Sequence, residues 1–286
     1  MEFSISIIVP AYNEEEAIFN VVSELNEKFP DYELIVVDDG SIDRTCELAK
    51  KAGAKVIKHS KNWGYGASLK TGILNAAGEY VVTCDADGQH RVADIKLLLN
   101  DYEEYDAIIG IRNNDSHAPL LRKPGKFVLK CFFNYLTGEK IEDFNCGLRV
   151  FKKSVITKYL HLTCDQFSFS TTSMFALLKM KRRIKCMPIK VKKRIGKSSV
   201  RQIKHGTYAL LLILRLTVLF NPLKVFLHGV LLFFIMGFVS LFLDCSTNGE
   251  FTVGTTTSLM FVSALIVFMF ALLCDQVSAI RRQMNE

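Results

Sequence analysis

Five short apolar runs rich in β-branched residues open the chain: Ser4–Pro10, Glu33–Val37, Lys55–His59, Glu79–Cys84 and Asp106–Gly110. Between them the apolar positions follow a helical period. Glu14–Phe29 brings Ala17, Ile18, Val21, Val22, Leu25 and Phe29 to one face, and Asp43–Ala52 and Gly66–Ala77 predict two further helices. Unbroken apolar runs alternating with amphipathic helices predict βαβ units around a mostly parallel sheet, buried on both faces. Polar residues cluster just after the runs, at Asn13-Glu14, Asp38-Asp39 and Asp85-Ala86-Asp87. Open α/β sheets bind ligands outside the carboxyl ends of their strands, so these clusters predict one site on that edge. Asp43 and Ser41 are expected to cap the helix that follows them.

The pattern changes near residue 205. Val225–Leu243 is 19 residues without a formal charge, and Phe251–Cys274 is 24 more. Each reaches the roughly 20 residues needed to cross a bilayer core, which predicts two membrane spans. The connector Asp244–Glu250 has no Lys or Arg, a basic strip precedes the first span, and Arg281-Arg282 follow the second. This asymmetry places the N-terminal part and the C-terminus both on the cytoplasmic side. Tyr208–Phe220 is apolar but too short to span and is interrupted by Arg215, which predicts a helix lying in the interface. Pro119–Leu136 interleaves Phe and Leu with Arg122, Lys123, Lys126 and Lys130, a basic amphipathic pattern that suits a membrane surface. The expected organisation is a cytoplasmic domain over 1–205, with an interfacial helix at 119–136. A juxtamembrane interfacial helix at 206–222 and a two-helix transmembrane region at 223–286 follow. Met1–Ser4 are not a basic segment leading into an apolar run, so no cleaved signal peptide is expected.

Composition agrees with a soluble part joined to a membrane part. Hydrophobic residues make up 49%, charged residues 23%, and mean hydropathy is +0.20, which excludes a disordered chain. The net charge of +7 is local: residues 1–178 carry 20 basic and 25 acidic side chains, 179–205 carry 12 basic and no acidic, and 206–286 carry four of each. A basic strip next to membrane spans points to anionic headgroups and not to nucleic acid. The eight cysteines form no C-x-x-C pair, which predicts reduced thiols.

Two carboxylates on alternate residues after a strand, as in Asp85-Ala86-Asp87-Gly88-Gln89-His90, can share one divalent cation. Mg²⁺ or Mn²⁺ takes one or two carboxylates together with substrate phosphates. The neighbouring segments carry a resemblance. Ile8-Val9-Pro10-Ala11-Tyr12-Asn13-Glu14-Glu15, Val36-Val37-Asp38-Asp39-Gly40-Ser41, Asn62-Trp63-Gly64-Tyr65-Gly66-Ala67 and the D-A-D segment resemble family 2 inverting glycosyltransferases of the GT-A fold. Glu142-Asp143-Phe144-Asn145-Cys146-Gly147-Leu148-Arg149 and Arg194-Ile195-Gly196-Lys197-Ser198 resemble the polyprenyl-phosphate branch, which includes dolichol-phosphate mannose synthases and bacterial undecaprenyl-phosphate glycosyltransferases.

The resemblance implies a GT-A catalytic domain that moves a hexosyl unit from a nucleotide-diphosphate sugar, a UDP-sugar favoured over GDP-mannose, to polyprenyl phosphate. It implies that Pro10, Ala11, Tyr12, Glu14 and Asp39 hold the nucleotide, with Gly66 letting the backbone approach it and Lys70 reaching the diphosphate. Asp85, Asp87 and Gln89 would form the metal site, Asp85 also lying near the donor. His90 is read as a capping neighbour. Asp143 would face the anomeric carbon, orienting an acceptor phosphate that is already ionised or acting as a base. Arg122, Lys126 and Arg149 are candidates for the acceptor phosphate, and Arg194 and Lys197 for closing over the diphosphate. The resemblance allows a tetramer. The competing readings are a family 2 transferase acting on a lipid-linked saccharide or polysaccharide, and a non-catalytic membrane-tethered nucleotide-sugar sensor, which the intact Asp85, Asp87 and Asp143 argue against.

Overall fold

The computed structural model describes residues 4–112, 143–166, 168–192, 221–248 and 251–284, with isolated residues between 131 and 139 and between 214 and 218. The five predicted strands are present as β1 (Ile5–Ala11), β2 (Glu33–Asp38), β3 (Lys55–Lys58), β4 (Tyr80–Thr83) and β5 (Ala107–Arg112). They are joined through α1 (Ile18–Lys28), α2 (Thr45–Lys51), α3 (Tyr65–Asn75) and α4 (Val92–Leu98). Every residue of β1 and β2 is buried, as expected where helices cover both faces and no polar alternation is tolerated. Ile7, Val9, Val36, Val82, Ile108 and Val150 share one core cluster.

Two strands have no counterpart among the predicted runs. β6 (Arg149–Lys152) runs antiparallel between β4 and β5, pairing Arg149 with both Thr83 and Ile109. α5 (Lys153–Tyr159) and α6 (Phe169–Lys179) follow, then β7 (Ile184–Ile189), which lies parallel to β5 at the sheet edge. Within the basic stretch 179–205, residues 184–189 are therefore an edge strand, a position that tolerates Pro188, and Lys185 pairs with Asp101. The sheet order is β3-β2-β1-β4-β6-β5-β7. β1 and β4 are parallel neighbours at which the order of strand addition switches sides, and the carboxyl ends at such a switch point are where open α/β sheets bind ligands. The N-terminal unit ends at Leu210 and a second unit begins at Leu211.

In the second unit, α7 (Pro222–Asn248) and α8 (Thr255–Met284) pack against each other as a hairpin. Both are long and apolar enough to cross a membrane. Thr257, Ala264, Ala271 and Ser278 recur every seven residues on α8 and are buried; such small side chains let two helix backbones approach closely. Asp244 staples the turn. Its Oδ2 accepts from the Gly254 N–H at 2.9 Å and from Thr257 Oγ1 at 2.8 Å, so an α7 carboxylate caps the start of α8.

Candidate active site

Asp85 leaves the end of β4 with its side chain fixed from two directions. Oδ1 accepts from the Tyr65 hydroxyl at 2.7 Å, and Oδ2 lies 3.8 Å from His90 Nε2. Burial, with the Asp85 anion second, pushes the Tyr65 phenol well above its ordinary value, which keeps it a donor. His90 Nδ1 accepts from the Asp85 N–H at 3.2 Å, which ties the histidine back to the residue that leaves β4. Asp87 is buried, and its Oδ1 accepts from the Gln89 N–H at 3.1 Å. The Gln89 amide nitrogen reaches Lys192 O at 3.4 Å, and Lys192 N–H returns to Gln89 O at 2.8 Å. The D-A-D-G-Q loop is thereby tied to the chain just past β7.

Gly147 explains why the C-G-L segment carries a glycine. A Cβ there would stand 2.6 Å from both Asp85 carboxylate oxygens, so Asp85 has its place only because residue 147 has no side chain. Asp143 is held by Arg112, the last residue of β5. Arg112 Nε donates to Oδ2 at 2.7 Å and Nη2 to Oδ1 at 3.0 Å, with the Asn145 N–H on Oδ1 at 3.1 Å. Burial raises the Asp143 carboxyl, but the Arg112 hydrogen bonds and charge outweigh it and hold the group below its ordinary value. The same pairing outweighs burial at Arg112 and raises its guanidinium.

Arg149 is corrected. It is fully buried, with Nε on Cys146 O at 2.8 Å, Nη2 on Phe144 O at 2.7 Å and Nη1 on Ser173 Oγ at 3.2 Å. Its fork braces the turn that carries Asp143 and Asn145 and is not presented to an acceptor phosphate. Burial lowers its pKa. The same apolar surroundings raise the thiol of Cys146, to about 11.

On the β1–β2 side, Pro10 and Ala11 are buried in the strand end and Tyr12 and Glu14 are partly exposed beside them. Asn13 adopts φ 52°, a left-handed value that Asn tolerates, and ties β1 to the next turn: its N–H donates to Ser41 Oγ and its Oδ1 accepts from the Ile42 N–H. The Ser41 hydroxyl is therefore not a helix cap, whereas Asp43 does accept from the Thr45 N–H that opens α2. Asp39 is almost fully buried, its Oδ1 accepting from the Trp63 N–H at 2.9 Å and its Oδ2 from the Gly64 N–H at 2.8 Å. Gly66 is needed for a different close approach than expected: a Cβ there would collide with the backbone of Cys164–Gln166. Lys70 binds Thr163 O and Asp165 Oδ1, both at 2.7 Å, and pins that same segment instead of reaching toward the Asp85 loop.

Arg122, Lys126, Arg194 and Lys197 lie outside the described residues, as do most of 119–136, where an interfacial helix is expected, and most of 206–222. Among the described residues, no group of three or more His, Cys, Asp and Glu converges as a ready cage for a metal. Asp85 and Asp87 nevertheless fit a divalent cation that completes its shell with substrate oxygens. Both are carboxylates in the loop that leaves β4, Asp87 buried and Asp85 partly exposed, and the Gln89 amide nitrogen is turned to Lys192 O. Sequence reasoning missed Arg112, Tyr65 and His59. Arg112 had a positional signal, since it ends a strand on the ligand-binding edge.

The profile of "Glycosyl transferase family 2" matches residues 6–161, more than half of the chain, and that of the "GtrB C-terminal hairpin" matches residues 221–280. An uncharacterized protein of Methanocaldococcus jannaschii is 36% identical over 198 residues, covering 65% of this chain and 80% of that one. The UDP-N-acetylglucosamine--dolichyl-phosphate N-acetylglucosaminyltransferase of Methanococcus voltae is 34% identical over 214 residues, covering 65% and 84%. The chain spans about half the length of other relatives it matches, such as the undecaprenyl-phosphate 4-deoxy-4-formamido-L-arabinose transferase of Pectobacterium carotovorum (51% of that protein). Glucosyl-3-phosphoglycerate synthase from Mycobacterium tuberculosis, solved with Mn²⁺, UDP and phosphoglyceric acid, superposes with a TM-score of 0.62 at 19% identity, over 75% of this chain and 78% of that one, which shows a shared fold. A mostly parallel sheet with its acidic loops on one edge, and a family profile that covers six of its seven strands, agree: the chain belongs to glycosyl transferase family 2.

Proposed function

We propose that this enzyme transfers a hexosyl unit from a nucleotide-diphosphate sugar to polyprenyl phosphate at the cytoplasmic face of a membrane. The ionised acceptor phosphate attacks the anomeric carbon from the side opposite the diphosphate. The carbon–oxygen bond to the leaving group breaks with inversion, and a β-linked polyprenyl-phosphate sugar and a nucleoside diphosphate result. The observation that carries this reading is the Arg112–Asp143 clamp. A sugar hydroxyl acceptor needs a general base whose pKa lies near the working pH. Asp143 is instead held as a fixed anion with a depressed pKa. That suits an acceptor already ionised at neutral pH, for which Asp143 orients and need not take a proton. Transfer to a lipid-linked saccharide is disfavoured on the same ground.

Asp85 and Asp87, with the Gln89 amide oxygen, are the residues to hold Mg²⁺ or Mn²⁺, which supplies charge neutralisation for the departing diphosphate. The tie between Gln89 and Lys192 supports a role for Arg194 and Lys197 in closing over the diphosphate, because Lys192, two residues before Arg194 in sequence, is bonded to that loop. Glu14 and Asp39 supply carboxylates for ribose and base. Arg122 and Lys126 are assigned to the acceptor phosphate. The donor we assign is a UDP-sugar, supported by the name of the Methanococcus voltae relative, with GDP-mannose as the alternative to test. Two helices long enough to span, with basic flanks and an uncharged-to-acidic connector, support two spans with both termini cytoplasmic. The test is Asp143→Asn: we expect transfer to fall sharply with donor binding intact, and near-normal turnover contradicts the role. Product formation undiminished by excess EDTA removes the metal from Asp87.

A further inference from the structure

His59, at the carboxyl end of β3, is 4% exposed and has both ring nitrogens engaged. Nδ1 lies 2.8 Å from Asp39 Oδ1 and Nε2 lies 3.0 Å from Thr71 Oγ1 on α3. A carboxylate only accepts, so Nδ1 carries a hydrogen and donates to Asp39. The ring is clamped a third way: it stacks on Trp63 at 4.5 Å between centroids with 27° between planes. The backbone N–H of the same Trp63 donates to the same Oδ1. His59, Trp63 and Asp39 thus form a closed unit, hung on α3 through Thr71.

The consequence lies in the acceptor capacity of Asp39. A carboxylate offers about four lone-pair positions, two per oxygen. The chain takes three: His59 and Trp63 N–H fill Oδ1, and Gly64 N–H takes one position on Oδ2. One position on Oδ2 is left for a ligand among the described residues. We propose that His59 is a positioning residue for the nucleotide donor: it saturates Oδ1 and locks the carboxylate plane, so that Asp39 presents a single Oδ2 acceptor to one N–H or O–H of a nucleoside diphosphate. The inference rests on the reading that Asp39 binds the donor. It predicts that losing His59 acts on donor affinity and not on the chemical step, because among the described residues His59 bonds Asp39 and Thr71 and neither Asp85 nor Asp143.

The experiment uses the full chain in detergent, with UDP and GDP as binding probes in the presence of Mg²⁺, and steady-state transfer as the kinetic readout. His59→Ala should weaken binding of the preferred nucleotide about tenfold, the size expected for an oriented hydrogen bond to a charged group, and raise the donor KM in step while kcat stays within about twofold. His59→Gln, whose amide can still donate to Asp39, should recover part of the loss. Thr71→Val keeps the ring but frees Nε2, and should weaken binding about threefold in the same parameter. Should His59→Ala fail to fold, Thr71→Val and His59→Gln carry the test alone. Unchanged nucleotide affinity in these variants while Asp39→Asn weakens it overturns the positioning role. Unchanged affinity in Asp39→Asn as well overturns the donor reading of Asp39, and the inference with it. A fall in kcat with unchanged donor KM also overturns it, since a merely structural defect behaves that way.

Discussion

Replacing Arg112 with Met strips Asp143 of its two shortest hydrogen bonds, at 2.7 and 3.0 Å, and leaves only backbone N–H groups on a carboxylate that is 16% exposed. A fully buried pair loses about 3–5 kcal/mol when one partner is removed, and an exposed pair contributes about 0–1 kcal/mol. Arg112 is 35% exposed, so solvent screening discounts the first figure to about 2 kcal/mol, or a Tm lower by about 4–8 °C at neutral pH. The pH dependence separates this from a packing defect. In the parent chain the Asp143 carboxyl titrates below its ordinary value, so the group adds stability above about pH 3.9 and loses it as pH falls through the lower folded-state value. Without Arg112, burial dominates and the folded-state value rises above the unfolded one. The sign then reverses, and the variant regains stability as pH falls through the raised value. Thermal unfolding of the full chain in detergent at pH 7 and pH 5 reads this directly. The gap between parent and Arg112→Met should narrow at pH 5, and Arg112→Met/Asp143→Asn should be more stable at pH 7 than Arg112→Met alone. A gap that is the same at both pH values, with no recovery in the double variant, refutes the clamp as the source of the Asp143 anion.

Gly147→Ala places a methyl group against both Asp85 oxygens; it should raise the Mg²⁺ or Mn²⁺ concentration needed for half-maximal transfer at least about tenfold with a small change in Tm, as read by metal titration of the transfer rate. Arg149→Met removes the guanidinium donors to Cys146 O and Phe144 O and should cost about 2–4 kcal/mol of stability, seen as a lower Tm that acceptor phosphate does not restore. Asp244→Ala removes the cap of α8 and should loosen the hairpin by about 1 kcal/mol, checked by protease access to the connector in oriented vesicles.

Of the strands that the sequence announced, β1 and β2 are buried along their whole length, whereas β3 is a partly exposed edge strand. Ile5–Ala11 and Glu33–Asp38 have apolar runs that only a covered parallel sheet explains. Arg149–Lys152 and Ile184–Ile189 stayed hidden because their sequences begin or continue with charge: β6 opens on an arginine whose fork is satisfied by backbone carbonyls, and β7 lies at an edge where alternate side chains reach water. Asp85 and Asp87 stood out because they follow the β4 run, and Asp143 because of the motif that it sits in. The partners that fix those acids did not. Tyr65 and Arg112 act across 20 and 31 residues of sequence, and no local pattern announces such pairings. Lys70 and Gly66 carry ties that their motif did not announce: both meet the chain's own Thr163–Gln166 segment.

The most direct test of the central claim is transfer from a panel of radiolabelled nucleotide sugars to a polyprenyl phosphate by the purified full chain, with Mg²⁺ or Mn²⁺. The account predicts a lipid-extractable product from one donor, a UDP-sugar, labile to mild acid as a phosphodiester-linked sugar, and absent in Asp143→Asn. No lipid-extractable product from any donor, or transfer to a saccharide hydroxyl in preference to the phosphate, contradicts it.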